Sequence, residues 1–139
     1  MRGMRYLFVL ALAVVVVCAF GAAAAVASSD SASSPSGTYT VSVSYPDVVV
    51  VGTTATASET VANTSSATET LTLTNTLTGS NGTAYSQTQI VTLAPGETFT
   101  QSYSTKVKRN DVGSYTLTFT ASDGSESATG AATFTVVTK

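Results

Sequence analysis

Residues 38–52 read "TYTVSVSYPDVVVVG", and the stretch changes character at its proline. Up to Tyr45 the apolar residues recur at every second position, with Tyr39, Val41, Val43 and Tyr45 on one phase and threonine or serine on the other. That period puts one face of a β-strand against a core and the other in water. After Pro46 the alternation stops and four valines run together to Gly52. Such a run is too short to cross a bilayer. Apolar residues on both phases suit a place where a strand switches between sheets or between subunits. The stretch therefore predicts a strand followed by a hinge.

The same period recurs downstream. "TETLTLTNTLTG" carries Leu71, Leu73 and Leu77, "ETFTQSYS" carries Phe99 and Tyr103, "GSYTLTFTA" carries Tyr115, Leu117 and Phe119, and "GAATFTVVT" carries Ala132, Phe134 and Val136. Between them stand "SNG" (80–82), "APGE" (94–97), "NDVG" (110–113) and "SDG" (122–124), which are turn sequences. No helical stripe appears after residue 37. About seven short strands at this spacing predict an all-β fold, an immunoglobulin-like antiparallel β-sandwich over residues 38–139. Threonine and serine fill the outward phase, where a hydroxyl keeps the surface wet without charge and, in threonine, β-branching keeps strand propensity.

A second valine run, in "LALAVVVVCAF", has different flanks. Arg2 and Arg5 precede an uncharged stretch from Tyr6 to Phe20, and small residues follow with Ala25 and Ala27 in an Ala-x-Ala pattern. This layout predicts a secretory signal peptide over 1–27 with a hydrophobic helix, cut between Ala27 and Ser28. One rival is an uncleaved anchor, since about twenty uncharged residues could just span a bilayer. Another is a type IV pilin-like subunit cut before Met4, which would keep the helix, although the stretch lacks the early glutamate usual in that family. A lipoprotein fits poorly because Cys18 follows Val17 inside the apolar run. Residues 28–37, "SSDSASSPSG", read as a Ser-rich flexible arm.

The cut leaves about 112 residues, enough for one domain, with no cysteine, histidine or tryptophan. Disulfides and cysteine–histidine metal sites are excluded from that chain. The whole sequence carries −2; losing Arg2 and Arg5 makes it −4, which disfavours nucleic acid as a partner. No catalytic set assembles, because the acids are scattered and Lys106 and Lys108 sit beside Arg109 in a turn-like stretch. No enzyme, metal or cofactor is expected. Asp123, Ser125 and Glu126 fall short of the six to eight oxygens calcium takes, and "SDG" suits a hairpin turn better.

Several pieces together resemble the CARDB group of immunoglobulin-like surface modules. "VVVVGTTATASETVANTSSATETLTLT" resembles their opening strands with a "V-x-N-T" element, "VTLAPGETFTQSYS" their "L-x-P-G-E-x-x-T" turn, and "DVGSYTLTFTASDG" their late Gly-x-Tyr strand. The likeness covers nearly all of residues 41–137. Glu59 departs from it, standing where an apolar inward residue belongs. "DVGSYTL" also resembles the tyrosine corner, which implies that the Tyr115 phenol bonds back to the chain while its ring packs.

A looser resemblance, to subunits of the archaeal thread-type filaments, implies a function. In those, one subunit's N-terminal strand completes the next subunit's sheet, by the logic of β-augmentation. The expectation is a secreted structural subunit of a filament, pilus or other surface assembly whose partners are copies of itself, with other surface proteins or glycans as further partners. Residues 38–45 are the candidate donor strand, through Tyr39, Val41, Val43 and Tyr45. Alanines 55, 57, 131 and 132 either mark close sheet packing or leave a groove for that strand. The alternative is a monomeric or membrane-anchored adhesion or carbohydrate-binding module. Asn63 in "NTS" and Asn81 in "NGT" fit the glycosylation acceptor pattern.

Overall fold

A computed structural model describes residues 27–139. The expected signal helix and the anchor and pilin alternatives fall on residues 1–26, outside the described residues. The alternating sequences become nine strands: β1 (Ala27–Ser33), β2 (Tyr39–Pro46), β3 (Val48–Val50), β4 (Thr54–Asn63), β5 (Glu69–Gly79), β6 (Ala84–Leu93), β7 (Thr98–Lys106), β8 (Gly113–Ser122) and β9 (Ser127–Val137). They form two sheets, ordered β1-β2-β4-β7 and β3-β9-β8-β5-β6. All pairs are antiparallel except β3 with β9. The result is a two-sheet all-β sandwich.

Burial follows the period of two. Along β2 every odd residue is buried from Tyr39 to Tyr45, and along β8 the same holds for Tyr115, Leu117, Phe119 and Ala121. These join Leu71, Leu73, Val61 and Phe134 in one core between the sheets. The outer faces carry hydroxyl pairs between directly opposed residues, among them Thr56 with Ser104 at 2.9 Å, Thr60 with Thr100 at 3.0 Å and Thr120 with Thr129 at 2.9 Å. Cross-strand hydroxyl pairs of this kind add a few tenths to about 1 kcal/mol each.

The strand count exceeds the expected seven or so at both ends of the opening stretch. Pro46 has no amide hydrogen to continue a ladder. The chain bends at Asp47 and re-enters the other sheet as β3, where Thr135 N–H donates to the Asp47 carbonyl and Val51 N–H to the Val137 carbonyl, each at 2.9 Å. The valine run is thus a switch between sheets, though only in part a doubly buried one. Val49 enters the core at 4% exposure while Val48, on the outer side of a marginal edge strand, is 57% exposed.

The other extra strand corrects the reading of residues 28–37 as a flexible arm. Through Ser33 the segment is strand β1, paired with β2 residue by residue from Ala27↔Pro46 to Ser33↔Thr40. An edge seat asks only for main-chain partners, so serine and aspartate, weak strand formers, can fill it. The turn that follows is also ordered, since buried Ser34 accepts from Thr38 N–H at 3.0 Å through its hydroxyl and bonds Gly37 and Tyr39 through its backbone.

Candidate functional site

The residues expected to travel, Tyr39, Val41, Val43 and Tyr45, lie in the protein's own core at 0%, 1%, 0% and 8% exposure. Their strand stands between β1 and β4 rather than at an edge. Tyr39 is tied further, its hydroxyl donating to the Glu126 carbonyl at 2.7 Å, and the Tyr45 ring stacks on Phe134 with centroids 3.9 Å apart. Each such side chain contributes about 1.5–3 kcal/mol when fully buried. Four together approach the whole stability of an ordinary domain, about 5–15 kcal/mol. In the single chain β2 is structural, and the alanine stretch has no vacant groove for it. Ala55, Ala57 and Ala132 are packed into the core, whereas Ala131 is exposed on the outer face.

β1 is held differently. Ser29, Asp30, Ser31 and Ser33 are exposed, and Ala32 alone packs partly against the core. Beyond the ladder with β2, the Asp30 carboxylate accepts the Ala131 N–H at 2.9 Å, so it caps a stretch of β9 that has no strand on its outer side. Gly130 lies against this contact and leaves little spare room. A Cβ there would stand 3.2 Å from Val43 Cγ2 and 3.6 Å from the Asp30 carbonyl oxygen. The expected cleavage point, Ala27–Ser28, lies at the start of this strand.

Glu59 points inward on β4 and is fully buried, so the departure from the apolar pattern is a feature of the core and not a slip of register. Its Oε2 accepts from Gln101 Nε2 at 2.8 Å and from Asn75 Nδ2 at 3.0 Å, and Gln89 on the half-covered inner side of β6 donates to Gln101. Three buried oxygens beside this network make no hydrogen bond: Glu59 Oε1, Asn75 Oδ1 and the Tyr103 hydroxyl. Burial pushes the Glu59 carboxyl up to about 7, against the smaller opposing pull of its hydrogen bond from Gln101. A neutral carboxyl spares the core a charge and replaces one acceptor by a donor. Tyr103 is raised as well, by burial first and then by the Glu59 charge.

The two glycosylation candidates part ways. Asn63 is 1% exposed and its Nδ2 donates to the carbonyls of Ala67 at 2.7 Å and Leu93 at 2.9 Å, while its Oδ1 accepts from Ser65. Asn63 is therefore corrected to a structural residue, because its Nδ2 is buried beyond the reach of a glycosylating enzyme. Asn81 is exposed in the β5–β6 hairpin, its Oδ1 accepting from Thr83 N–H at 3.1 Å and Thr83 Oγ1 at 2.7 Å. The Tyr115 hydroxyl accepts from Asn81 Nδ2 at 2.9 Å and donates to the Asp111 carbonyl at 2.6 Å, four residues upstream. Its ring stacks on Phe134 at 5.0 Å. Beside it lies an apolar pocket of about 40 Å³ between Tyr45, Leu77, Val107 and Phe134, far below the 300 Å³ or more of an ordinary ligand site. Sequence reasoning flagged Glu59 as a misfit but missed Gln101 and Asn75, which sit on the inward phase of alternating strands and carried the signal.

No known family profile matches the chain, and no curated protein matches it. Solved structures do. The CARDB domain of a Pyrococcus furiosus protein, solved in complex with di-metal ions, superposes with TM-score 0.51 at 21% identity, covering 70% of this chain and 90% of that one. A β-glucosidase from Listeria innocua in complex with isofagomine gives TM-score 0.50 at 13% identity over 73% of this chain, and the alkylpurine DNA glycosylase AlkC of Pseudomonas fluorescens gives 0.48 at 17% over 66%. The match spans 16% and 28% of those two enzymes, a part of each. At 21% identity the likeness to the Pyrococcus furiosus domain is one of fold, and the fold is CARDB-like.

Proposed function

We propose that this chain is a secreted, non-enzymatic structural subunit of an extracellular filament or surface assembly, with an immunoglobulin-like sandwich as its body. Copies join when the N-terminal strand of one completes the sheet of another. The observation that supports this reading is β1. It is the outer strand of its sheet, it lies at the N-terminal end of the described chain, and it is held mainly by main-chain pairing, with the side chains of Ser29, Asp30, Ser31 and Ser33 exposed. An edge made of backbone amides and carbonyls is the same in every copy and can pair with a strand of either direction, so a neighbour's β1 can occupy it. The travelling strand in this reading is β1, and β2 is the edge that receives it. Such head-to-tail joints need not close and can propagate into a fibre.

The adhesion or carbohydrate-binding alternative wants aromatic side chains on an outer face. Tyr39, Tyr45, Tyr103, Tyr115, Phe119 and Phe134 are buried instead. The test is removal of residues 28–33 from the secreted protein, followed by electron microscopy and light scattering. The reading expects monomers with an intact sandwich; filaments that form unchanged without β1 would sink it.

A further inference from the structure

The strand register sorts the turns into two poles. The turns 34–38, 64–68, 94–97 and 123–126 meet at one end, tied by bonds such as Asn63 N–H to the Glu97 carbonyl at 2.9 Å and Tyr39 hydroxyl to the Glu126 carbonyl at 2.7 Å. The segments 47, 51–53, 80–83, 107–112 and 138–139 meet at the other, where Gly52 N–H donates to the Val107 carbonyl at 2.8 Å and Val51 N–H to the Val137 carbonyl at 2.9 Å.

Charge is sorted with them. Glu69, Glu97, Asp123 and Glu126 all lie at the first pole, with no lysine or arginine among them. Lys106, Lys108, Arg109 and Lys139, every base of residues 27–139, lie at the second with Asp47 and Asp111. The poles thus carry net −4 and +2. Between them the outer faces of the sheets are threonine, serine and alanine, with Ile90 and Pro46 among them. Asp123 and Glu126 are held below their usual range by hydrogen bonds, from the backbone of the turn for Asp123 and first from Ser36 for Glu126, so these two carboxylates keep their charge at mildly acid pH.

We infer that the two poles are complementary docking surfaces, the acidic end of one copy seating on the basic end of the next. It rests on the reading that copies of this chain assemble, but not on strand exchange. Two observations favour a second copy over another partner. Opposite charges occupy opposite ends of one molecule, so a single contact repeats along a line; between the poles the one exposed charge is Asp30 on the β1 edge, whose carboxylate is occupied by the Ala131 N–H, so the sides offer no competing attraction of that strength. The poles also restrict how β1 could travel. Straightening residues 34–38 with β1 in its native antiparallel register would bring two acidic poles together. Stacking of opposite poles requires β1 to enter from the basic end and lie parallel to the receiving β2, the direction β3 already takes against β9. Five residues reach at most about 18 Å, enough to cross between stacked poles and not to run the length of a subunit.

The test uses residues 28–139 and two charge-reversed forms, each checked for folding by its melting curve. Glu69→Lys and Glu97→Lys with Ser66→Lys and Thr68→Lys make the acidic pole positive; Lys106→Glu, Lys108→Glu and Lys139→Glu make the basic pole negative. Sedimentation velocity should show unmodified protein associating at least about tenfold more weakly in 1 M than in 0.1 M salt, as the screening length falls from about 10 Å to about 3 Å. Each reversed form alone should stay monomeric, and an equimolar mixture should associate again, because every contact then pairs unlike poles. Salt-insensitive association overturns the inference without any variant, and so does self-association of either form at the unmodified level or failure of the mixture. A chain with β1 locked to its own β2 separates the readings. If it assembles fully with the salt response intact, strand exchange falls and the poles stand.

Discussion

Glu59 makes the stability of the sandwich fall with rising pH across a range where few proteins respond in that direction. Its carboxyl is raised from 4.5 to about 7 in the folded chain. The folded state therefore binds the proton more tightly than the unfolded one. The stabilisation is fully present below about pH 4.5 and is lost as pH rises through about 7. At about 1.4 kcal/mol per unit, the whole effect is about 3 kcal/mol, of which about 2 kcal/mol falls between pH 5.5 and 8.5. For a domain of this size that is about 8 °C in melting temperature. Residues 28–139 contain neither histidine nor cysteine, the two side chains whose ordinary values lie in or near that window. The tyrosine shifts are upward from 10.0 and act at higher pH. Glu59→Gln keeps an acceptor for Asn75 and Gln101 and supplies amide hydrogens toward the unpartnered oxygens. Denaturation curves of both forms at pH 5.5, 7 and 8.5 should show the slope in the unmodified chain and its absence in the variant. Equal slopes, or a melting temperature that rises with pH in the unmodified chain, would refute the assignment of a neutral buried carboxyl.

Three further outcomes follow from the packing. Tyr115→Phe should cost about 1–2 kcal/mol in chemical denaturation, because the Asp111 carbonyl loses its donor and Asn81 an acceptor. Asn63→Ala should cost about 2–3 kcal/mol by removing the side-chain donor to the Leu93 carbonyl and the acceptor of the Ser65 N–H, and should not change the mass of any attached glycan; Asn81→Gln should remove such a glycan if the protein carries one. Gly79→Ala should cost about 1–3 kcal/mol, since its Cβ would fall 2.7 Å from Tyr115 Cε1 and force the ring off Phe134.

Much of the fold was legible because the core is written at period two. The inward phase of β2, β5, β7, β8 and β9 could be read residue by residue, and Pro46 with the valine run marked the change of sheet. What could not be read had physical reasons. β1 carries no periodic apolar signal because its seat requires none, so the serine-rich segment looked like a free arm. The donor assignment followed from the apolar phase of Tyr39 to Tyr45, yet that phase is equally the mark of a strand in its own core, and alternation cannot say whose core. Asn63 matched a three-residue acceptor pattern that holds no information about burial. The charge poles are invisible in the linear order, since Glu69, Glu97, Asp123 and Glu126 are spread over some sixty residues and meet only through the register.

The claim that β1 passes between copies is tested most directly by a reversible lock. Ser31 and Ser42 stand directly opposite on β1 and β2, within the Cα separation a disulfide accepts. With Ser31→Cys and Ser42→Cys in residues 28–139, which hold no other cysteine, electron microscopy of the oxidised protein should show no filaments, and reduction should restore them. Filaments of normal length from the oxidised, fully locked protein would contradict the account.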